Sequence, residues 1–165
     1  MLVDLFGSTR DEWIKSDIQG WLAPNRMYDG VVAPVREAFL EDASQEVYIV
    51  TTKQQRFTIQ LLNDMAGIPF PPERVMSQTE SGRPKTERLL ELESLHPGRD
   101  YVFVEDKLST LEKVCQAPEL DHWKLYLVDW GYNQQHERER AAANPRIKVI
   151  GVTEFAKLCQ SHTLV

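Results

Sequence analysis

The chain has 165 residues, of which 42% are hydrophobic, and this is enough apolar material for one substantial globular core. A formal net charge of -6 argues against a duplex nucleic-acid binder, because such a protein needs a positive surface. The chain has no apolar run near the roughly 20 residues that span a bilayer, and Met1 is not followed by a signal-peptide pattern. We therefore expect a soluble intracellular protein, cytoplasmic by default, with small metabolites open as substrates and neither nucleic acid nor a membrane as partner.

The N-terminal segment is predicted to be helical. Apolar residues recur at helical spacing from Leu2 to Leu22, which indicates an amphipathic helix or helix pair with Gly7 and Gly20 as weak points. Pro24 ends this pattern, and Val31 to Phe39 form a second, shorter helical stripe.

From Val47 onward the pattern changes to compact apolar runs that alternate with helices. The runs that predict strands are Val47 to Val50, a short Arg74 to Met76, Tyr101 to Val104, Leu125 to Val128 and Ile147 to Ile150. Helical patterns of about ten residues separate them, and a last helix is predicted from Thr153. This alternation indicates the α/β class, with a Rossmann-like parallel sheet covered by helices on both faces.

Polar residues stand where these strands end. Thr51 follows one strand, Glu105 and Asp106 follow another, Asp129 follows a third, and Lys85 opens a helix after a Gly-Pro loop. Loops from adjacent parallel strands converge at the carboxyl ends of the strands. A hydroxyl, a cation and a carboxylate pair are the groups that magnesium-assisted phosphoryl transfer needs. Alternatives remain for each: a helix cap for the threonine, a solvated lysine, and N-capping for the acids.

In this order the segments resemble the haloacid dehalogenase superfamily of hydrolases, from Tyr28 to the C-terminus. MYDGVVAPVREAF resembles the stretch before the second motif of that family, and VYIVTTK resembles the motif itself. The likeness implies that Thr51, with Thr52 beside it, binds the phosphoryl group. SGRPKTERLLEL resembles the third motif, which makes Lys85 the residue that neutralises nucleophile and phosphate.

The fourth motif and the segment after it add to this resemblance. YVFVEDKLSTL resembles the fourth motif, so Asp106 becomes the expected Mg²⁺ ligand with Glu105 beside it. YLVDWGYNQQHERERA resembles phosphatases of the phosphoglycolate phosphatase kind, and the chain is also similar to an uncharacterised plant and algal group of such proteins. The resemblance implies a small phosphorylated metabolite as substrate.

Two positions depart from the family pattern. Thr110 stands where the family usually has a further acid after the first metal-binding Asp. The first motif, a strand ending in Asp-x-Asp-Gly that supplies the nucleophile, is absent from the sequence. The nearest string, LVDLFGST around Asp4, resembles a helix of the family's cap region instead.

The resemblance therefore divides the chain in two. Residues 1–25 are interpreted as the remnant of a helical cap, and residues 26–165 as a hydrolase core without its first central strand. That strand would lie between Val47 to Val50 and Tyr101 to Val104, so both would lose a hydrogen-bonding neighbour. We expect a chain that is poorly stable, or has a split or rearranged sheet, and that lacks appreciable phosphatase activity.

Three functional hypotheses follow. In the first, the parent protein hydrolyses a small phosphomonoester through an aspartyl-phosphate intermediate with magnesium, and this chain is an incomplete, inactive form of it. In the second, a non-catalytic protein on the same fold binds a phosphorylated ligand or a partner in regulation. In the third, the chain is a receiver-like or nucleotide-binding α/β module, but GxGxxG and GxxxxGK[ST] are both absent. Substrate identity, oligomeric state and organelle have no signal in the sequence.

The remaining chemically notable residues have structural interpretations. Cys115 and Cys159 lie far apart without a CxxC pattern, so both are predicted core thiols rather than zinc ligands or a disulfide. The charged run His136 to Arg140 is predicted to be a solvated helix face. No role is assigned to the histidines, which lack metal-ligand spacing: His96, His122, His136 and His162. Packing is predicted for the tryptophans, namely Trp13, Trp21, Trp123 and, under its loop, Trp130.

Overall fold

The computed structural model describes residues 2–160, and it confirms a mixed α/β chain with parallel strand pairs. In this range the helices are α1 Leu2–Ser16, α2 Ile18–Leu22, α3 Val32–Leu40, α4 Gln55–Ala66, α5 Gln78–Ser81, α6 Lys85–Leu95, α7 Leu108–Cys115, α8 Gln135–Ala142 and α9 Val152–Gln160. The strands are β1 Ile49–Thr51, β2 Val75–Ser77, β3 Val102–Glu105, β4 Lys124–Val128 and β5 Ile147–Ile150. Single 3-10 turns occupy Pro72–Arg74 and Pro118–Leu120. His162 lies outside the described residues.

Within residues 2–160 the strands form two small parallel sheets. In one, β1 pairs with β2 in the register Ile49 opposite Val75. In the other, β4 lies between β3 and β5, with Leu125 opposite both Phe103 and Ile147. The prediction of parallel strands is thus confirmed, while a single continuous sheet is not what the described residues form. One edge of β1 and one edge of β3 have no strand partner among these residues.

The chain divides into two compact units, with the division between Glu80 and Ser81. The first unit contains α1 to α4 and the sheet of β1 and β2, and the second contains α6 to α9 and the sheet of β3, β4 and β5. The assignment of residues 1–25 and 26–165 to cap and core stays a prediction.

In the first unit the N-terminal segment forms two helices. The sequence predicted either one amphipathic helix or a helix pair, and the structure has the pair. The break falls at Asp17, and not at either of the two glycines named as weak points, Gly7 and Gly20. The Asp17 carboxylate accepts a hydrogen bond from the Gly20 backbone N–H at 2.9 Å, so it caps the start of α2. A side-chain cap therefore separates the two helices, and Gly7 is buried within α1.

Two apolar clusters fill the core of the first unit. One contains Trp21, Phe57 and Leu61, so it joins α2 to α4. The other is built on residues after α4, chiefly Ile68, Phe70 and Val75. Gly67 ends α4 in the left-handed conformation at φ 64°, and its backbone N–H donates to carbonyls of the last turn.

In the second unit, α6 begins at Lys85 directly after Pro84, as predicted. Its β3 strand ends at Glu105, one residue beyond the predicted end. The core of this unit is fully buried at Leu111 and Val114 of α7 and at Leu127 of β4. None of the helices in residues 2–160 combines the length and the apolar character needed to cross a membrane.

Candidate functional site

An ion pair between Lys85 and Glu105 lies at the centre of the candidate site in the second unit. The start of α6 carries Lys85 and the last residue of β3 is Glu105, and the distance from Lys85 Nζ to Glu105 Oε2 is 2.6 Å. Both side chains are shielded, with 14% and 6% of their surface exposed. The sequence predicted both positions, and the structure brings these two residues together.

Burial of Glu105 and the positive charge of Lys85 shift the pKa of the Glu105 carboxyl group in opposite directions. Desolvation raises the pKa of the Glu105 carboxyl group, and the neighbouring Lys85 ammonium opposes that rise. The Asp106 carboxylate adds a smaller contribution in the same direction as burial. Glu105 Oε1 also accepts a hydrogen bond from the Lys107 backbone N–H at 3.2 Å. Both carboxylate oxygens of Glu105 are therefore engaged by groups of this chain.

Asp106, the next residue, contacts the loop after β4. Its Oδ2 accepts a hydrogen bond from the Tyr132 backbone N–H at 3.1 Å. Gly131 in this loop has φ 89°, and a Cβ atom placed on it would lie 2.5 Å from Asp106 Oδ2. Such a distance is too short for any real Cβ contact. Only glycine fits there, since both the backbone conformation and the close approach exclude a side chain.

Asn133 fixes the same loop and was not identified from the sequence. Its Nδ2 lies 2.8 Å from the Asp106 carbonyl oxygen and 2.9 Å from the Val128 carbonyl oxygen, and donates to both. Its Oδ1 accepts a hydrogen bond from Arg138 Nη1 at 2.8 Å. One amide thus ties the ends of β3 and β4 to α8. The available signal was a polar residue in a loop directly after a buried strand.

Thr51 and Thr52 lie in the first unit, whereas Lys85, Glu105 and Asp106 lie in the second. Thr51 is the last residue of β1, and its hydroxyl oxygen accepts a hydrogen bond from the Lys53 backbone N–H at 3.1 Å. The Thr79 hydroxyl donates to the Thr52 carbonyl oxygen. The predicted position of Thr51 at a strand end is confirmed, and the hydroxyl keeps its own proton for donation to another acceptor.

Other predicted residues near the strand ends take structural positions. Asp129 is exposed directly after β4, and its backbone N–H donates to the Ile150 carbonyl oxygen at 3.0 Å. Trp130 packs edge-on against Phe155 of α9, with ring centroids 5.6 Å apart, which agrees with the predicted packing role. Thr110, the position where an acid was expected by resemblance, lies in the first turn of α7.

A divalent ion at this site would take its protein ligand from Asp106. The two oxygens of Glu105 bind Lys85 and the Lys107 N–H, so Asp106 is the carboxylate of the pair that faces fewer competing cations. Within the part of the chain that the structure describes, three or more metal-ligating side chains do not gather at one point. Mg²⁺ commonly binds through one or two carboxylates, with water and substrate phosphate as its other ligands. One carboxylate is compatible with that mode.

Comparison of the chain with family models, curated proteins and solved structures returned no match.

Proposed function

We propose that this chain carries the phosphate- and magnesium-binding half of a phosphomonoester hydrolase of the haloacid dehalogenase type. The observation that carries the proposal is the shielded Lys85–Glu105 pair at 2.6 Å, with Asp106 next to it. A lysine at a helix start and an acid pair at a strand end are the elements that resemble the third and fourth motifs of this family. In this role Lys85 stabilises negative charge on a transferring phosphoryl group.

The role of each further residue follows from the same resemblance. Thr51, with Thr52 beside it, donates a hydrogen bond to the phosphoryl group, and Asp106 ligates Mg²⁺. The loop residues Gly131 and Asn133 hold Asp106 in place through backbone and carbonyl contacts. Bound Mg²⁺ would supply charge neutralisation of the phosphoryl oxygens. Glu105 keeps Lys85 positioned rather than binding the ion itself.

The printed sequence contains no Asp-x-Asp-Gly, so we expect this chain alone not to turn over phosphate esters at an enzymatic rate. Among residues 2–160, one edge of β1 and one edge of β3 have no strand partner.

A direct test compares two proteins in magnesium-dependent hydrolysis of an aryl phosphate. One is this chain, and the other carries an N-terminal extension with an apolar strand that ends in Asp-x-Asp-Gly. We expect turnover from the extended protein alone, and loss of that turnover in its Lys85→Met variant. Ordinary turnover by the unextended chain, or an extended protein whose activity ignores Lys85→Met, would contradict the proposal.

A second candidate is a non-catalytic protein that binds a phosphorylated ligand or a partner. The observation that favours it is the absence of a nucleophile motif from a chain that retains the Lys85–Glu105 pair. Titration calorimetry with Mg²⁺ and inorganic phosphate distinguishes the two. Saturable binding to the unextended chain, together with an inactive extended protein, favours the binding protein.

A further inference from the structure

A cavity of about 200 Å³ lies inside the first unit, and its lining includes Lys53, which follows Thr52, but neither Thr51 nor Thr52 itself. It forms where α1, α2 and α4 meet the loop after β1. The side chains that matter for its chemistry are aromatic or cationic: Arg10, Trp13, Trp21, Lys53 and Phe57. The packing predicted for Trp21 is confirmed, whereas Trp13 is exposed, and both residues line the cavity.

Two aromatic residues of this wall are buried and the third is exposed. Trp21 and Phe57 are buried in the core, with 5% and 1% of their surface exposed, and their rings are tilted by 45° at a centroid distance of 6.0 Å. Trp13 keeps 44% of its surface exposed, so it forms the accessible side of the cavity. Aromatic rings of this kind favour a planar or apolar body in the cavity.

Two cations share the same cavity. The Arg10 guanidinium lies over the Phe57 ring at 5.6 Å from its centroid. Partial desolvation lowers the pKa of Lys53, and the charge of Arg10 lowers it further. Arg10 and Lys53 are exposed residues that line this cavity together with the aromatic side chains and with Pro24 and Asn25.

Among residues 2–160, Arg10 and Lys53 have no carboxylate partner of the kind that Arg56 and Arg74 have. Within residues 2–160 the ion pairs of the structure involve neither Arg10 nor Lys53. Arg56 in α4 is a useful contrast, since it binds Asp11 through two hydrogen bonds and also lies near Glu80. Two neighbouring cations without a counter-charge are stabilised by an added anion.

We propose that this cavity binds a small organic anion with a planar body. Its acidic group lies between Arg10 and Lys53, and its ring packs against Trp13, Trp21 and Phe57. The volume is below the roughly 300 Å³ at which pockets for drug-sized ligands begin, so the ligand is about a single ring with one acidic group. This inference goes beyond the proposed hydrolase function and uses neither Lys85 nor Asp106.

The test is titration calorimetry of the full chain with phenyl phosphate, benzoate, inorganic phosphate and neutral benzyl alcohol. We expect phenyl phosphate and benzoate to bind with millimolar or tighter dissociation constants. Inorganic phosphate and benzyl alcohol should each bind roughly ten-fold more weakly, because each lacks one of the two kinds of contact. Phenyl phosphate and benzoate distinguish a need for phosphate from a need for any acidic group.

Matched variants locate the binding. Lys53→Gln and Arg10→Gln should each weaken phenyl phosphate binding by about ten-fold, as expected for loss of a charge-assisted hydrogen bond. Lys15→Gln removes the same charge from an exposed position on α1 that does not line the cavity, and should change affinity by less than about two-fold. Far-ultraviolet circular dichroism confirms that each variant is folded.

Three outcomes would overturn the proposal: equal affinity for benzyl alcohol and benzoate, an equal effect of Lys15→Gln and Lys53→Gln, or no saturable binding of the aryl anions. The readout does not depend on turnover. Lys85→Met and Asp106→Asn should leave phenyl phosphate binding at this cavity unchanged, so failure here is distinct from failure of the hydrolase proposal.

Discussion

Glu105 is a buried acid whose ionisation is coupled to folding. Since burial raises its pKa in the folded chain, the folded state binds a proton at this site more readily than the unfolded state. The free energy of unfolding should therefore increase as the pH falls through the interval between the ordinary and the raised pKa. Above that interval, the cost of burying the charge is fully present.

Glu105→Gln removes this titration. We expect the free energy of unfolding of the wild type to fall relative to that of Glu105→Gln as the pH rises through the interval, measured by urea denaturation at a series of pH values. Glu119→Gln is the matched control, since it makes the same substitution at an exposed position. If the wild type and Glu105→Gln differ in free energy of unfolding by the same amount at every pH, the raised pKa of Glu105 is contradicted.

Asn133 connects three segments through one side chain, so its loss should be costly. We expect Asn133→Ala to lower the free energy of unfolding by about 1–3 kcal/mol, because carbonyl oxygens of Asp106 and Val128 lose their donor. Asn63→Ala on the exposed face of α4 should change it by less than about 0.5 kcal/mol. Chemical denaturation of both variants provides the measurement, and equal effects would remove the special role of Asn133.

At the scale of elements, the loop after β4 depends on Gly131. Gly131→Ala should destabilise the protein for two reasons: the backbone is left-handed, and the new Cβ would crowd Asp106. Gly98→Ala separates the effect of backbone conformation from the effect of crowding. Gly98 is also left-handed, at φ 74°, but it has open space around it. We expect Gly98→Ala to cost about 1 kcal/mol and Gly131→Ala at least about 1 kcal/mol more. Thermal unfolding of the pair would show this, and equal shifts would exclude crowding at Asp106.

Element types could be predicted because they depend on local patterns. The start of α6 at Lys85 follows from a preceding proline, and the acids at the end of β3 follow from an apolar run that stops. Strand limits were less accurate: β1 is Ile49–Thr51 rather than Val47 to Val50, since its limits depend on pairing with β2. A strand is defined by its partner as well as by its own residues.

Contacts within the site could be predicted only in part. The pairing of Lys85 with Glu105 joins residues 20 positions apart, and a list of strand-end residues does not state which of them meet. Asn133 and the cavity around Lys53 depend on side-chain directions in loops, where no periodicity exists to be interpreted. The break at Asp17 could have been recognised, because Asp is a preferred helix cap.

At the scale of the whole molecule, one edge of β1 and one edge of β3 have no strand partner within the part of the chain that the structure describes. We expect a free energy of unfolding below about 5 kcal/mol, the lower end for folded domains, because few strands share the ladder hydrogen bonds. Urea unfolding followed by circular dichroism gives the value. A two-state transition with more than about 10 kcal/mol would show that the pairing present is sufficient for ordinary stability.

The backbone N–H of Tyr132 donates a hydrogen bond to the Asp106 carboxylate, while Tyr132 as a whole residue is 82% exposed. The contact with Asp106 therefore depends on the backbone at position 132 and not on which side chain stands there. Saturation mutagenesis should tolerate small, large, charged and neutral replacements alike, with proline depleted because it has no amide hydrogen. A chemical label or an affinity tag could therefore be attached a few ångströms from the carboxylate without disturbing it.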